Sequence, residues 1–334
     1  MSGSLALRFL VAGCGSVGKR HLRNLRTLGV TDLLTFDVLA ERCREASAEL
    51  GVEAVASLEE AWARGVDAVL VTVPTREHYP LALEAARQGC HLFIEKPLSD
   101  RLEGLDALAG IAAEKRLIAL VGCNMRFHPG PAAVKRLLDE GAIGAPVAAR
   151  LQTGSYLPDW RPSVDYRQSY SASAEGGGGA VLDCIHEIDL ALWYFGPAEV
   201  AGAAVLPAES LGLDVDGLAE MLLRHHSGVL SSVHLNFVQR DYRRVCQIIG
   251  TEGTLYWDFE EEAVRCYRPK EGWQAFPQPA GWELNRMYLD EMRHFLACLV
   301  GEEKPHVDVT GGWRALEIAL AAKAWPGARP VVGA

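Results

Sequence analysis

The stretch LRFLVAGCGSVG, residues 7–18, decides how the rest of the sequence is interpreted. An apolar run ends in the glycine pattern GxGxxG, and an amphipathic helical pattern follows at once. A buried strand that turns through glycines into a helix is the context in which this pattern binds the pyrophosphate of a dinucleotide. In that context Gly13 allows the tight turn, Gly15 lets the backbone approach the pyrophosphate, and Gly18 lets the helix pack closely on the strand.

The residues around this loop point to NAD as the dinucleotide. Ser16 and Val17 begin the helix, whose free N–H groups and positive dipole end attract phosphates. Asp37 ends the second predicted strand, where a carboxylate accepts hydrogen bonds from the adenosine ribose of NAD and repels the extra phosphate of NADP. Asp37 is also consistent with a loop cap, and the nearby Arg42 leaves tolerance of NADP open. We expect NAD in preference to NADP.

The first third of the chain alternates short β-branched runs with amphipathic helical patterns, which predicts a doubly wound parallel sheet covered on both faces. Strands are predicted at 7–12, 33–36, 67–73, 91–94 and 118–121, with helices beginning near 16, 40, 57, 76 and 100. Strand-like runs dominate the remainder, and helices are predicted there at 131–140, 180–195, 283–300 and 310–324. We therefore expect a Rossmann domain over 1–122 and, over 123–334, an α/β domain with a large open, mostly antiparallel sheet.

The composition of the 334 residues excludes several classes of protein. A hydrophobic fraction of 49% and a charged fraction of 23% are those of a globular chain. The net charge of -10 argues against a nucleic-acid partner, since nucleic-acid binding needs a concentrated basic face. The eight cysteines form no CxxC and indicate a reducing, cytoplasmic compartment, and no apolar run approaches the roughly 18 residues that a membrane span needs. No metal is expected, because the adjacent His225 and His226 point to opposite faces of a predicted strand.

The ends of the predicted strands 67–73 and 91–94 supply further candidates, because ligands bind beyond the carboxyl ends of parallel strands. Pro74, Thr75 and His78 follow the strand 67–73 and are expected on the nicotinamide-ribose side, although His78 also fits a surface histidine at a helix start. Glu95 and Lys96 follow the strand 91–94 and are expected to contact the cofactor. The Lys96 amine is suited to exchange a proton with a substrate hydroxyl or carbonyl while hydride moves to or from nicotinamide. The alternative is a surface ion pair between Lys96 and Glu95.

A run of glycines at 176–179 leads into the predicted helix 180–195. Asp183 and His186 are three residues apart and would share one helix face, where with Lys96 they would form a proton-handling and substrate-positioning cluster. Glu187, four residues after Asp183, would share that face too. Asp183 is also a normal partner for the helix dipole.

Motifs spread along the chain resemble the Gfo/Idh/MocA (glucose–fructose oxidoreductase / inositol dehydrogenase) family over almost its whole length. They are VAGCGSVGKRH, DAVLVTVPTREH, GCHLFIEKP, VGCNMRFHP, GGGAVLDCIHEIDLALWYFG, IIGTEGTLYWD and EMRHFLACLVGEEKP. The resemblance implies an NAD(P)-dependent oxidoreductase acting on sugars, cyclitols or related polyols, with a Rossmann domain, an open-sheet domain, and assembly into dimers or tetramers. It also implies that Lys96 is the catalytic lysine and that Asp183 and His186 are the helix aspartate and histidine.

The chain departs from the family pattern in that helix. Family members commonly place the histidine four residues after the aspartate, whereas here the gap from Asp183 to His186 is three. In a regular helix Glu187 would take the angular place of the histidine. We assign the role to His186, because an imidazole titrates near neutral pH.

The aromatic and basic segment before the glycines is a candidate substrate contact, since rings stack on sugar faces and guanidinium groups bind carboxylate or phosphate. We expect Tyr166 and Arg167 to reach the substrate and Arg161 to bind an anionic substituent. The alternative is a subunit-contact arm. Arg126, after the last strand of the first domain, is expected among the substrate contacts. It either faces the active-site cleft or ties the two domains together.

Together these features predict a cytoplasmic, homo-oligomeric NAD-dependent dehydrogenase or reductase of a sugar, cyclitol or nucleotide-activated sugar. Two alternatives share the scaffold. One is a non-enzymatic NAD-sensing regulator, which would typically lack Lys96 or the helix residues. The other is an NAD-dependent glycosidase, which would oxidise the sugar transiently and return the hydride.

Overall fold

The computed structural model describes residues 7–160, 162 and 164–326, which group into two compact units. Unit 1 comprises the chain through Asn124 together with Asn285–Trp313, and unit 2 comprises Met125–Leu284 and the residues from Arg314 onward. The expected division into 1–122 and 123–334 differs in one respect, since the structure returns residues 285–313 to the first unit.

The helices are numbered in chain order. They are α1 (Ser16–Thr27), α2 (Ala40–Leu50), α3 (Leu58–Ala63), α4 (His78–Gln88), α5 (Leu105–Glu114), α6 (Pro129–Asp139), α7 (Ala180–Asp183), α8 (His186–Phe195), α9 (Asn285–Leu299) and α10 (Val309–Lys323). Within the described ranges, none of them is long and apolar enough to cross a membrane.

Unit 1 is built on a six-stranded parallel sheet. Its strands are β1 (Phe9–Ala12), β2 (Leu33–Phe36), β3 (Glu53–Ala54), β4 (Ala68–Val71), β5 (His91–Glu95) and β6 (Ala119–Gly122). They lie in the order β3-β2-β1-β4-β5-β6, and every pairing is parallel. The predicted doubly wound sheet is confirmed. The pattern missed only β3, which has two residues, both exposed.

Local sequence explains most of this unit. All residues of β1 and β4 are buried, as expected for parallel strands with both faces covered. The Ser57 hydroxyl accepts the Glu60 N–H at 3.2 Å and caps α3. Phe295 of α9 belongs to the same buried cluster as Leu22 of α1 and Phe93 of β5, which explains why α9 returns to unit 1.

Unit 2 is built on an eight-stranded sheet. Its strands are β7 (Pro146–Tyr156), β8 (Ala198–Pro207), β9 (Asp216–His225), β10 (Leu230–Asn236), β11 (Val238–Gly250), β12 (Thr254–Asp258), β13 (Ala263–Arg268) and β14 (Gly272–Pro277). Their order is β14-β13-β12-β11-β7-β10-β9-β8, and β7 with β10 is the one parallel pairing. The predicted open, mostly antiparallel sheet is confirmed.

The two faces of this sheet differ. Helices α6, α7 and α8 pack on one face, where alternate strand residues such as Leu151, Val233 and Ile248 are buried. The other face carries large apolar side chains that are exposed. They are Leu222, Leu230, Ile249, Tyr267 and Trp273.

Candidate cofactor and catalytic site

The glycine loop between β1 and α1 is shaped by close backbone contacts. A Cβ added at Gly13, where φ is +104°, would overlap the Thr72 carbonyl oxygen, and one added at Gly18 would overlap the Gly13 carbonyl oxygen. Gly15 has nothing within 4 Å of such an atom. The loop is therefore packed tightly at Gly13 and Gly18 and open at Gly15, as the approach of a phosphate requires.

The helix that follows this loop leaves its N-terminus accessible. Ser16, the first residue of α1, is exposed, and Val17 is partly buried. Gly15 at the N-cap supplies no side-chain cap, and the first turn holds no acidic residue that would repel an anion. The backbone N–H groups and the positive end of the helix dipole therefore face the open side of the loop.

Asp37 at the end of β2 connects two loops. Its Oδ2 accepts the Cys14 N–H at 2.8 Å and its Oδ1 accepts the Leu39 N–H at 2.8 Å. Arg42 Nη1 lies 3.8 Å from Oδ2. A carboxylate has about four acceptor sites, so both oxygens keep capacity for the ribose hydroxyls of a dinucleotide. The loop-capping role and the predicted cofactor role are compatible, and these residues fit NAD.

The residues after β4 differ in their exposure to solvent. Pro74 is exposed and Thr75 is buried. His78 is also buried, with Nδ1 2.7 Å from the Pro97 carbonyl oxygen and Nε2 2.9 Å from the Val73 carbonyl oxygen. The ring lies between two backbone carbonyl oxygens and holds the turn after β5. The contact of His78 with the nicotinamide-ribose side stays a prediction.

The end of β5 presents Lys96 as a partly exposed side chain before a cis Lys96–Pro97 bond. The neighbouring Glu95 carboxylate faces His21, whose Nε2 is 2.7 Å from Glu95 Oε1. Burial raises the pKa of Glu95, but the hydrogen bond from His21 and the charge of Lys96 outweigh burial and hold the pKa below its ordinary value. His21 is not among the residues predicted from the sequence, although its place three residues after Gly18 puts it on the buried face of α1.

The predicted single helix over 180–195 is broken. Helix α7 ends at Asp183, Cys184 has φ −94° and ψ 28°, and α8 begins at His186. The expectation that Asp183 and His186 share one face of a continuous helix is therefore wrong. Glu187 would take the angular position of the histidine only in a regular helix, and the helix is interrupted at Cys184.

The acidic side chains of this junction are buried and engaged. Asp183 Oδ1 accepts a hydrogen bond from the Tyr170 hydroxyl at 2.9 Å. Glu187 Oε1 lies 2.7 Å from Arg244 Nε of β11. Burial lowers the pKa of Arg244, but the charge of Glu187 outweighs burial and holds the pKa above its ordinary value. His186 is 7% exposed at the start of α8.

Arg126 belongs to unit 2 and is held inside it. Its Nε and Nη2 donate to the two carboxylate oxygens of Asp189 at 2.9 and 2.7 Å, and its guanidinium lies 5.2 Å from the Trp193 ring. A forked pair of this kind occupies the guanidinium. Arg126 therefore anchors the first residues of unit 2 on α8, and its contact with substrate stays a prediction.

The aromatic and basic segment before the glycines lies partly at the surface. The Tyr166 hydroxyl donates to the Leu211 carbonyl oxygen at 3.0 Å, and the exposed Arg167 guanidinium lies 5.2 Å from the Tyr166 ring. Leu157 and Trp160 line a small apolar pocket together with Tyr166. Arg161, which is predicted to bind an anionic substituent, lies outside the described residues.

A cluster of potential metal ligands occurs in unit 1, where His294, Glu303 and His306 each offer an atom within 4.8 Å of the others. His294 Nδ1 lies against the Glu303 carboxylate, and Nε2 accepts the His306 backbone N–H at 3.0 Å. If a metal bound Nδ1, the ring proton would be on Nε2. That proton would face the His306 N–H donor, and the hydrogen bond between them would be lost. The ring is therefore arranged to bind the loop after α9 and not a metal.

Comparison with known proteins identifies the family. Residues 7–123 match the oxidoreductase family with an NAD-binding Rossmann fold, and residues 132–256 match the GFO/IDH/MocA C-terminal domain. The sequence is 30% identical to myo-inositol 2-dehydrogenase of Thermotoga maritima over 333 residues, which cover 95% of each chain. The chain belongs to the Gfo/Idh/MocA oxidoreductase family.

Other Gfo/Idh/MocA relatives agree. The chain is 28% identical to the scyllo-inositol 2-dehydrogenase (NAD(+)) of Bacillus subtilis, over 95% of this chain and 93% of that one. The structure of UDP-N-acetylglucosamine 3-dehydrogenase from Acidithiobacillus ferrooxidans has the same fold, with a TM-score of 0.79 and 24% identity over 96% of this chain and 98% of that one. The chain is an NAD-dependent oxidoreductase, and the predicted fold class, enzyme class and cofactor are confirmed.

Proposed function

We propose that the protein oxidises a secondary hydroxyl of a cyclitol, a sugar or a nucleotide-activated sugar with NAD⁺ as the hydride acceptor. The observation that carries this proposal is the position of Lys96 in unit 1. Strands β1, β4 and β5 are neighbours in one parallel sheet, so the end of β5 and the glycine loop after β1 lie at the same carboxyl edge. A partly exposed amine at that edge is suited to proton exchange beside a dinucleotide.

The relatives support the substrate class. Two act, by name, on inositols, and a third acts on a nucleotide sugar. Secondary alcohols on rings are common to these compounds. The same reaction on such an alcohol is the function that best fits this chain, and inositols are the first compounds to test.

We assign the cofactor contacts of unit 1 by the geometry of the loop and the strand ends. The proposed set comprises Gly13, Gly15, Ser16, Val17, Gly18, Asp37, Pro74, Thr75, Glu95 and Lys96. The open side of the loop at Gly15 and the helix dipole of α1 favour the pyrophosphate, and the Asp37 carboxylate favours the adenosine ribose.

The bound nicotinamide supplies the hydride acceptor. In the proposed reaction the Lys96 amine takes the proton from the substrate hydroxyl. Asp183 and His186 bind and orient that hydroxyl, and Tyr166 and Arg167 contact the rest of the substrate. His186 is preferred to Glu187, because the Glu187 carboxylate is paired with Arg244.

Assembly through the open face of the unit 2 sheet is part of the proposal. Exposed apolar side chains on that face, such as Leu222 and Trp273, favour burial against a second copy in a homodimer or homotetramer. A cytoplasmic location is also proposed, supported by eight cysteines that are all buried thiols.

A panel of inositols, sugars and nucleotide sugars, assayed with NAD⁺ by NADH absorbance, tests the proposed reaction. We expect NADH from at least one class, and Lys96→Ala should lower turnover by about 10²–10⁴-fold with unchanged NAD⁺ affinity. Lys135→Ala, which removes a surface lysine of α6, is the matched control and should retain full turnover. Undiminished turnover of Lys96→Ala would refute the role of Lys96, and no NADH from any compound would refute the substrate class.

Sedimentation of Leu222→Asp tests the assembly. A charge on the open face, at Leu222 of β9, should shift the protein toward the monomer. Val300→Asp, at an exposed apolar position beyond α9, is the control and should sediment as the wild type does. A wild-type protein that sediments as a monomer would contradict the proposed assembly.

A further inference from the structure

A buried histidine lies behind the turn that carries Lys96. His21 of α1 is fully buried, and its Nε2 is 2.7 Å from Glu95 Oε1. The ring packs edge-on against Phe93 of β5, with centroids 4.9 Å apart, and against Tyr288 of α9 at 6.3 Å. Aromatic neighbours on two elements therefore hold the ring in one orientation.

The hydrogen bond to Glu95 defines what His21 does. A carboxylate only accepts, so the proton lies on His21 Nε2. His21 Nδ1 is buried, and it has no hydrogen-bond partner among the residues described. His21 is thus a hydrogen-bond donor directed at Glu95.

The Glu95 carboxylate connects His21 to the backbone of Lys96. Its second oxygen, Oε2, accepts the Lys96 backbone N–H at 3.3 Å, so one carboxylate connects α1 with the backbone of the lysine. On the other side, His78 holds the Pro97 carbonyl oxygen at 2.7 Å. The two residues that flank Lys96 are therefore each held by a buried imidazole.

We propose that His21 is a positioning residue, which acts through Glu95 to hold Lys96 in the direction that proton transfer needs. This inference rests on the proposed function of Lys96 as the acid–base group. Without the His21 donor, a buried carboxylate would lack its partner and would have to turn toward water or toward the lysine. Either movement releases the Lys96 backbone from its acceptor, and a displacement of about 1 Å at a reacting group costs up to about 100-fold in rate.

Two amide substitutions that differ only in reach test this inference. In His21→Gln the amide nitrogen reaches the place of Nε2 and still donates to Glu95, whereas in His21→Asn it stops near the place of Nδ1. We expect His21→Gln to keep the wild-type kcat and His21→Asn to lose about 10–100-fold in kcat, with KM for the polyol and the NAD⁺ dissociation constant unchanged. His91→Asn, at the opposite end of β5, is the control and should keep the wild-type kcat.

Thermal melting and NAD⁺ titration separate positioning from a loss of structure. Equal kcat for folded His21→Asn and His21→Gln would overturn the inference, as would a change in NAD⁺ affinity with kcat intact. Should His21→Asn not fold, His21→Gln decides alone, since a kcat well below the wild type would contradict the proposal and a wild-type kcat would support it.

Lys96→Ala distinguishes this inference from the proposed function on which it rests. Full turnover of that variant refutes the proposed function, whereas an inactive Lys96→Ala beside a fully active His21→Asn refutes only the inference.

Discussion

The glycine loop of unit 1 and the α7–α8 junction of unit 2 are built on opposite principles. The loop consists of backbone, and its shape depends on the missing side chains of Gly13 and Gly18. The junction consists of buried side chains, and each acidic group there has a partner, as in the pairs of Glu187 with Arg244 and of Asp183 with Tyr170.

This difference determines how each region should respond to substitution. A backbone site fails when a side chain is added, because packed atoms have no room to move. A site of buried charges fails when a side chain loses its partner, because an unpaired buried charge costs several kcal/mol.

Addition of one methyl group to the loop should have the largest effect. Gly18→Ala places a Cβ against the Gly13 carbonyl oxygen, so we expect about 5 kcal/mol of destabilisation, measured by chemical denaturation. Gly15→Ala has open space and an ordinary φ of −68°, so its stability should match the wild type. Its NAD⁺ affinity should fall about tenfold, because the methyl group meets the pyrophosphate. Equal stability of the two variants would contradict the backbone description of the loop.

Removal of a charge from the α7–α8 junction should have the second largest effect. Glu187→Gln leaves Arg244 buried with a neutral partner, and we expect a loss of about 3 kcal/mol in the free energy of unfolding. Its kcat should remain near the wild-type value. His186→Gln should show the converse, with lower kcat and little change in stability. If Glu187→Gln abolished turnover in a folded protein, the assignment of the helix role to His186 would be wrong.

Asp37 combines both principles, since its carboxylate holds the backbone of the glycine loop. Asp37→Ser removes the acceptor of the Cys14 and Leu39 N–H groups and the charge that repels a 2′-phosphate. We expect NAD⁺ affinity to fall roughly 10–100-fold and the ratio of NADP⁺ to NAD⁺ affinity to rise. Titration of both cofactors measures this change, and an unaltered ratio would exclude Asp37 as the selectivity residue.

A single neutral donor should have the smallest effect. Tyr170→Phe removes the hydroxyl that donates to Asp183 Oδ1 and leaves the ring. We expect a loss of about 1 kcal/mol in stability and a reduction in kcat of several-fold, since the carboxylate keeps its place with less support. Tyr256→Phe, whose hydroxyl lies on the unit 2 sheet beside Gln247, is a control for the loss of a tyrosine hydroxyl and should leave kcat unchanged.

The sequence predicted the regions in which constraints are local. The glycine loop, the alternation of strands and helices in unit 1 and the helix start near residue 57 each depend on residues within a few positions of one another. Alternation of buried and exposed residues similarly indicated most of the eight-stranded sheet.

The remaining features depend on contacts between residues distant in the chain. Arg244 is 57 positions from Glu187, so no local pattern shows that this carboxylate is engaged. Asp189 is likewise 63 positions from Arg126, so no local pattern shows that this guanidinium is paired. The break at Cys184 lies inside a run without Gly or Pro, and the carbonyl oxygens that engage His78 are set by the turns after β4 and β5.

The most direct test is to follow the transfer of hydride from the substrate to NAD⁺. The polyol that gives the most NADH in the panel is prepared with deuterium on its ring carbons and incubated with NAD⁺ and the wild-type protein. Mass spectrometry of the reduced cofactor should show one added deuterium, in an amount equal to the ketone formed, and Lys96→Ala should give neither product at a comparable rate. Ketone formed without labelled NADH, or labelled NADH formed equally fast by Lys96→Ala, would contradict the account.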